Sequence, residues 1–151
     1  MTFTDFKQMQ PTATAQAKSV LDYVELLCQV LRTNYQSFSI QMHRSAIENN
    51  GIIDETYIPW HEEEIRKLCE GEGVDKFVYE KGRKYAKILH ITNPGGLKSV
   101  HMFIDMVTGD CYKPASSKAP AKGIRYNLLD DNSREEMLRR ADWSGGYLYA
   151  R

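Results

Sequence analysis

The hydrophobic repeat of this 151-residue chain changes near Asp75, and few folds accommodate such a change. Upstream, Val20, Leu21, Val24, Leu27, Cys28 and Leu31 recur every three or four residues, which on a turn of about 3.6 residues gathers them on one face. Downstream, "KFVYE", "KYAKILHI" and "SVHMFIDMV" are short runs rich in β-branched and aromatic residues, separated by the turn-like "KGR" and "TNPGGLK". Helix first and consecutive strands afterwards describe an α+β protein, not an alternating one. The expected architecture is an N-terminal helix packed on an antiparallel β-meander of about four strands, with two shorter flanking helices. Residues 1–151 read as a single domain, mainly helical and acidic over 1–75 and mainly β and basic over 76–151.

The first helix is expected from Thr14 to about Arg32, after a loose polar start. From Asn34 to Asn50 the pattern blurs; Phe38, Ile40 and Met42 alternate with polar neighbours as in a short strand, although a continuing helix also fits, and "ENNG" stops whatever precedes it. "PWHEEEIRKLCEGEG" reads as a second helix, with Pro59 near its start, three glutamates in its first turn, and Glu62–Arg66 and Glu63–Lys67 as ion pairs one turn apart. In the third strand Val100, Met102, Ile104 and Met106 face one way and Ser99, His101, Phe103 and Asp105 the other, giving one buried and one partly wet face. Thr108-Gly109 turns the chain into a fourth strand over Asp110 to Lys113. Ser133 and Glu136 have capping-box spacing for a helix from Ser133 to Ala141, with Glu135–Arg139 and Glu136–Arg140 as ion pairs. Tyr147 and Tyr149 alternate as in an edge strand. Pro114 to Gly123 is expected to run as a fixed, extended strap.

Composition supports one ordinary core, since 42% of the residues are apolar. No hydrophobic run is long enough to cross a bilayer, and "MTFTDFKQMQ" lacks the build of a signal peptide, so a cytoplasmic protein is expected. The three cysteines, Cys28, Cys69 and Cys111, are odd in number and far apart, as expected of small core thiols in a reducing compartment.

The zero net charge conceals two opposed halves. Met1 to Asp75 carries 6 Lys+Arg against 12 Asp+Glu, whereas Lys76 to Arg151 carries 14 against 8. Between Lys81 and Arg125 the cations Lys81, Arg83, Lys84, Lys87, Lys98, Lys113, Lys118, Lys122 and Arg125 face only Asp105 and Asp110.

Catalytic and metal signatures are weak. His43, His61, His90 and His101 fall at no metal-ligand spacing, "HEEEI" lacks the second histidine of a zinc helix, and no metal or cofactor is expected. His90 and His101 lie on adjacent expected strands; ordinary sheet residues are the plainer reading, a metal or proton site the sharper one. Cys111 beside Lys113, with His90 or His101 as base, is the least favoured reading, because no nucleophile motif surrounds it. "TNPGGLK" is a hairpin loop, not a phosphate loop, since a strand and not a helix follows its glycines.

The basic half interleaves its cations with rings, namely Phe77, Tyr79, Tyr85, Phe103, Tyr112 and Tyr126. Lysine and arginine neutralise phosphates and exposed rings stack on bases, so the combination suits a nucleic-acid binder. The residues expected to carry it are Lys81, Arg83, Lys84, Lys87, Tyr112, Lys113, Lys118, Lys122, Arg125 and Tyr126. The plain alternative makes the rings core and the lysines guards of the sheet edges.

"YEKGRKYAKI", followed by "SVHMFIDMVTGDCYKPASSKAPAKGIRYNLLDD", resembles a family of small uncharacterised proteins encoded by tailed bacteriophages, marine ones included. In that family a "GRKY" strand leads to a "VHxFVDxxTGDxYK" hairpin and a "KAPAK" stretch. The resemblance spans residues 79–131, brings no assigned activity or catalytic residue, and implies a phage protein acting in a bacterial cytoplasm. The expectation is a small non-enzymatic binding protein that holds an anionic partner such as nucleic acid. The alternative is a protein–protein accessory or regulatory module, directed at a host protein or self-associating as a homo-oligomer, that works through the acidic helical half.

Overall fold

The computed structural model describes residues 13–49 and 55–149. Helix α1 (Ala13–Glu48) is 36 residues long, about 54 Å at about 1.5 Å per residue. Its first half carries the expected face: Val20, Val24, Leu27, Cys28 and Leu31 are all buried in the main core. The strand expected at Phe38, Ile40 and Met42 is instead more of α1. Phe38 and Met42 are also one helical turn apart, nothing between Arg32 and Glu48 breaks a helix, and this half has a partner of its own. That partner is α2 (Ile58–Cys69), entered by a 3₁₀ turn at Glu55–Tyr57, with Pro59 in its first turn. Gln36 Nε2 donates to the Leu68 carbonyl at 2.5 Å, satisfying an oxygen in the last turn of α2.

Because α2 begins at Ile58, the three glutamates occupy its second turn and not its first. Its ion pairs are Arg66 with Glu63 and Glu70, and Lys67 with Glu64, rather than the expected Glu62–Arg66 and Glu63–Lys67. The loose start over residues 1–10 and the stop at Asn50 and Gly51 lie outside the described residues.

The five strands are β1 (Lys76–Lys81), β2 (Tyr85–Ile91), β3 (Lys98–Asp105), β4 (Asp110–Tyr112) and β5 (Tyr126–Asn127), antiparallel and in chain order across the sheet. The architecture is thus α+β with a meander, one short strand longer than expected. Phe77, Ile88, Met102, Ile104, Cys111 and Tyr126 form the face toward α1. Helix α3 (Asp131–Arg140) contributes Met137, and a 3₁₀ turn (Gly146–Leu148) contributes Tyr147 and Leu148. That turn replaces the expected C-terminal strand. Gly145 enters it at φ 83°, and Tyr147 is buried in the core while Tyr149 is exposed, so the two rings do not line one strand face.

Three local expectations change for identifiable reasons. In β3 a bulge sets Ile88 opposite Met102 but Leu89 opposite Val100, so His101 is the extra residue. It turns from the face of Phe103 and Asp105 toward Phe77 and Tyr147. At α3 the cap is Asp130, whose side chain accepts from Ser133 N–H at 2.8 Å; Ser133 Oγ instead accepts from Asn127 N–H, so no capping box forms. Glu136–Arg140 does pair, at 3.5 Å. The strap is not extended: Pro114 and Pro120 bridge antiparallel and Ala121 N–H donates to the Lys113 carbonyl, so the segment folds back on itself. It meets the expected wet face at Lys87, on which Phe103 is only 1% exposed. Of the cysteines, Cys28 and Cys111 are buried and Cys69 is exposed, at the end of α2, contrary to a uniform core role. Among the described residues no helix is long and apolar enough to cross a membrane.

Candidate functional site

The sheet face opposite α1 carries Lys76 and Glu80 from β1, Lys87 and Leu89 from β2, and Lys98 and Val100 from β3, as their registers require. The folded strap rests along it. Lys87 Nζ donates to the Ser117 carbonyl at 2.8 Å and lies 5.6 Å from the Phe103 ring centroid, so one lysine ties strap to sheet. Between them runs a groove of about 360 Å³ with Leu89 and Val100 among its walls and Lys87, Lys98, Lys118 and Glu80 around it.

The ten expected residues divide between surface and scaffold. Lys81, Arg83, Lys84, Lys118 and Lys122 are exposed. Lys84 and Asp105 are 4.0 Å apart; none of the other seven cations has an ion pair among the described residues. The helical elements differ, since Arg32, Arg66, Lys67, Arg134 and Arg140 each meet a carboxylate. Lys113 sits apart from the groove, its Nζ 4.1 Å above the Tyr149 ring. Tyr112, half-buried, packs edge-on against Tyr85. Arg125 is a fastener: Nε donates to the Leu148 carbonyl at 2.6 Å and Nη1 to that of Gly123 at 3.0 Å. Tyr126 lies in the core and donates to the Tyr147 carbonyl at 3.1 Å. With Phe77 and Phe103 buried as well, the rings of this half build the sheet and leave few faces for bases. The sequence reading passed over Lys98 as a site residue, although its place on β3 opposite Ile91 brings it to the groove.

A second cavity, of about 240 Å³, opens where β2 and β3 meet the C-terminal 3₁₀ turn. His90, Ser99, His101, Lys113, Trp143 and Ser144 are among its walls. His90 Nε2 lies 2.7 Å from Asp75 Oδ2, and Asp75 Oδ1 accepts from Asn93 N–H at 2.9 Å. The His90 ring stacks on Phe77, with centroids 4.5 Å apart. His101 touches the edge of the same ring, and its Nε2 is 2.8 Å from Tyr147 Oη. Burial, and then the neighbouring His90, push the His101 pKa down to about 4, against a smaller opposing pull from Asp142. The two histidines therefore share a cavity wall, though the bulge means that His90 pairs directly with Ser99. Asp75 was invisible as part of this group because it precedes β1, and only the β1–β2 register brings it beside His90.

Cys111 offers no nucleophile. Its Sγ donates to the Gly109 carbonyl at 3.5 Å, its strand neighbours are Ile104 and Tyr126, and burial raises its thiol far above the ordinary range. In the helical half, His43 Nδ1 and His61 Nδ1 are 2.8 Å apart beside Trp60, one donating and one accepting. Burial lowers the His43 pKa, His61 adds to that, and Glu64 opposes it. Among the described residues no three His, Cys, Asp or Glu side chains form a metal-binding group.

No curated protein and no solved structure matches the chain. Residues 3–150 match the model of DUF7717, a family of unknown function, and the chain belongs to that family.

Proposed function

We propose that the protein is a small nucleic-acid-binding protein that holds the phosphates of a strand along the groove between sheet and strap. One observation carries this reading: among the described residues the cations of the sheet half, apart from Lys84 beside Asp105, have no acidic partner, while Arg32, Arg66, Lys67, Arg134 and Arg140 of the helices each meet an acid. Unpaired lysines at a groove release counterions when a polyanion docks, which makes affinity fall steeply with salt. Buried rings argue for backbone contact over base stacking, and so for weak sequence preference. The bacteriophage context of the resembling proteins, and action in a bacterial cytoplasm, belong to the same proposal. Gel retardation at low salt with single- and double-stranded DNA and RNA tests it. Retention that salt abolishes supports the reading, and no retention of any of the four removes it.

A second reading has its own support. Met42, Tyr57 and Trp60 stand 56, 59 and 54% exposed on the acidic helical hairpin, where large apolar side chains suit a protein partner or a second copy of the chain. Loss of self-association or partner capture in Trp60→Ala, with strand retention unchanged, would assign that surface separately.

A further inference from the structure

We propose that the cavity walled by His90, His101 and Lys113 cleaves single-stranded RNA by internal attack of a ribose 2′-hydroxyl, with His90 as the general base. This rests on reading the lysine groove as a strand-binding surface, and it names the substrate.

The arrangement of His90 comes first. A carboxylate only accepts, so Nε2 carries the proton that faces Asp75, and in the neutral form of the ring Nδ1 is the acceptor. Nδ1 has no hydrogen-bond partner among the described residues, yet none of their buried side-chain nitrogens or oxygens lacks one. Nδ1 is therefore open to solvent, and the cavity is the space that His90 lines. Asp75 is 5% exposed and fixed by Asn93 N–H through its other oxygen, so it holds the ring in one tautomer and orientation. A histidine that walls a cavity, with one nitrogen held by a buried carboxylate and the other reached by solvent, is arranged to move protons.

The route to the cavity is the second observation. Ser99 and Val100 line the lysine groove, the His90 cavity and a third hollow under Pro114 to Ser117. A strand lying along Lys87, Lys98 and Lys118 thus runs on toward His90. At the far rim Lys113 supplies a cation, steadied over the Tyr149 ring, for the charge that builds on phosphorus oxygens during attack. The cavity, at about 240 Å³, is smaller than the roughly 300–1,000 Å³ of sites for drug-sized ligands, and suits one ribose-phosphate unit.

The step balances without a further reactant. His90 Nδ1 takes the 2′-hydroxyl proton, the 2′-oxygen bonds to the adjacent phosphorus, and the bond from phosphorus to the 5′-oxygen breaks. The leaving oxygen takes a proton from solvent, and His90 later returns its own. The products are a 2′,3′-cyclic phosphate and a 5′-hydroxyl end; DNA, lacking the 2′-hydroxyl, is not a substrate.

The test uses an end-labelled single-stranded oligoribonucleotide and its all-deoxy counterpart, with EDTA present, followed by end-group analysis and parallel measurement of binding by fluorescence anisotropy. The expected result is RNA cleaved to cyclic-phosphate ends and DNA bound but intact. His90→Gln is expected to slow cleavage about 10²- to 10⁴-fold while still binding the strand. Lys113→Met, on the cavity wall away from Asp75, is expected to slow it without disturbing the Asp75 contact. Asp75→Asn, a positioning change, lowers kcat with KM unchanged. RNA that is bound but never cut overturns this inference and leaves the proposed function standing, whereas absence of binding overturns both. Cleavage of DNA as well, loss of cleavage with EDTA, or wild-type rates in both His90→Gln and Lys113→Met also overturns it.

Discussion

His101 makes the stability of this protein sensitive to mild acid. Its ring is buried between Phe77 and Tyr147, and its pKa is lowered from 6.5 to about 4, first by burial and then by His90. Above pH 6.5 neither the folded nor the unfolded chain protonates this ring, so it adds no slope. Between pH 6.5 and 4 the unfolded chain takes up a proton that the folded chain refuses, and folding stability falls as pH falls. Each unit of pKa difference is worth about 1.4 kcal/mol, so the full descent costs about 3 kcal/mol. Below pH 4 this contribution levels off. Carboxylates titrate in the same window, so the measurement compares slopes: urea unfolding at half-unit intervals from pH 7 to 4, on wild type and on His101→Gln. Glutamine keeps a polar partner for Tyr147 but cannot titrate. Wild type is expected to lose about 3 kcal/mol more than the variant across the window, or roughly 6–12 °C in Tm for a chain of this length. Parallel pH dependences in the two proteins would refute the argument.

Three further outcomes follow from the packing. Leu27 is fully buried in the core, and Leu27→Ala is expected to cost about 2–5 kcal/mol by urea unfolding, through lost burial and the cavity left behind. Arg125→Ala frees the Leu148 carbonyl from a charged donor at 2.6 Å; a loss of about 1.5–3 kcal/mol, with faster amide exchange across Gly146–Leu148, is the expected result. Lys87→Met removes the tie to Ser117 while keeping cover over Phe103, so global stability should hold within about 0.5 kcal/mol while trypsin cuts after Lys118 more quickly.

What could be read from the chain depended on whether neighbours along the sequence set the structure. The face of Val20, Val24, Leu27, Cys28 and Leu31 is such a case: five residues at helical spacing, all of them in the core. The hairpin turns, marked by Gly82, by the two glycines of "TNPGGLK" and by Thr108-Gly109, fixed the order of the first four strands in the same way. Residues 38, 40 and 42 were ambiguous because i and i+4 share a helix face while i, i+2 and i+4 share a strand face; α2 decides between them, and it lies about 20 residues away. The site was hidden for a related reason. His101 faces inward only because β3 holds one residue too many for β2, and Asp75 meets His90 only through the β1–β2 register. The short strand β5 pairs with β4 across the whole strap, a connection with no local signal. Composition located the lysines on the sheet half, but the fold-back of the strap, which sets Lys118 beside Lys87 and Lys98, required the tertiary structure.

The central claim is that the unpaired lysines of the sheet half hold phosphates, and the salt dependence of binding tests it most directly. For a single strand, the slope of log K against log salt is about −0.7 for each phosphate neutralised. Lys98→Gln combined with Lys118→Gln removes two cations from the groove while leaving the Lys87 tie in place. The account predicts measurable binding of single-stranded nucleic acid by wild type at low salt, and a slope shallower by about 1.4 in the double variant. Binding with an unchanged slope in that variant, or no binding by wild type at low salt, would contradict it.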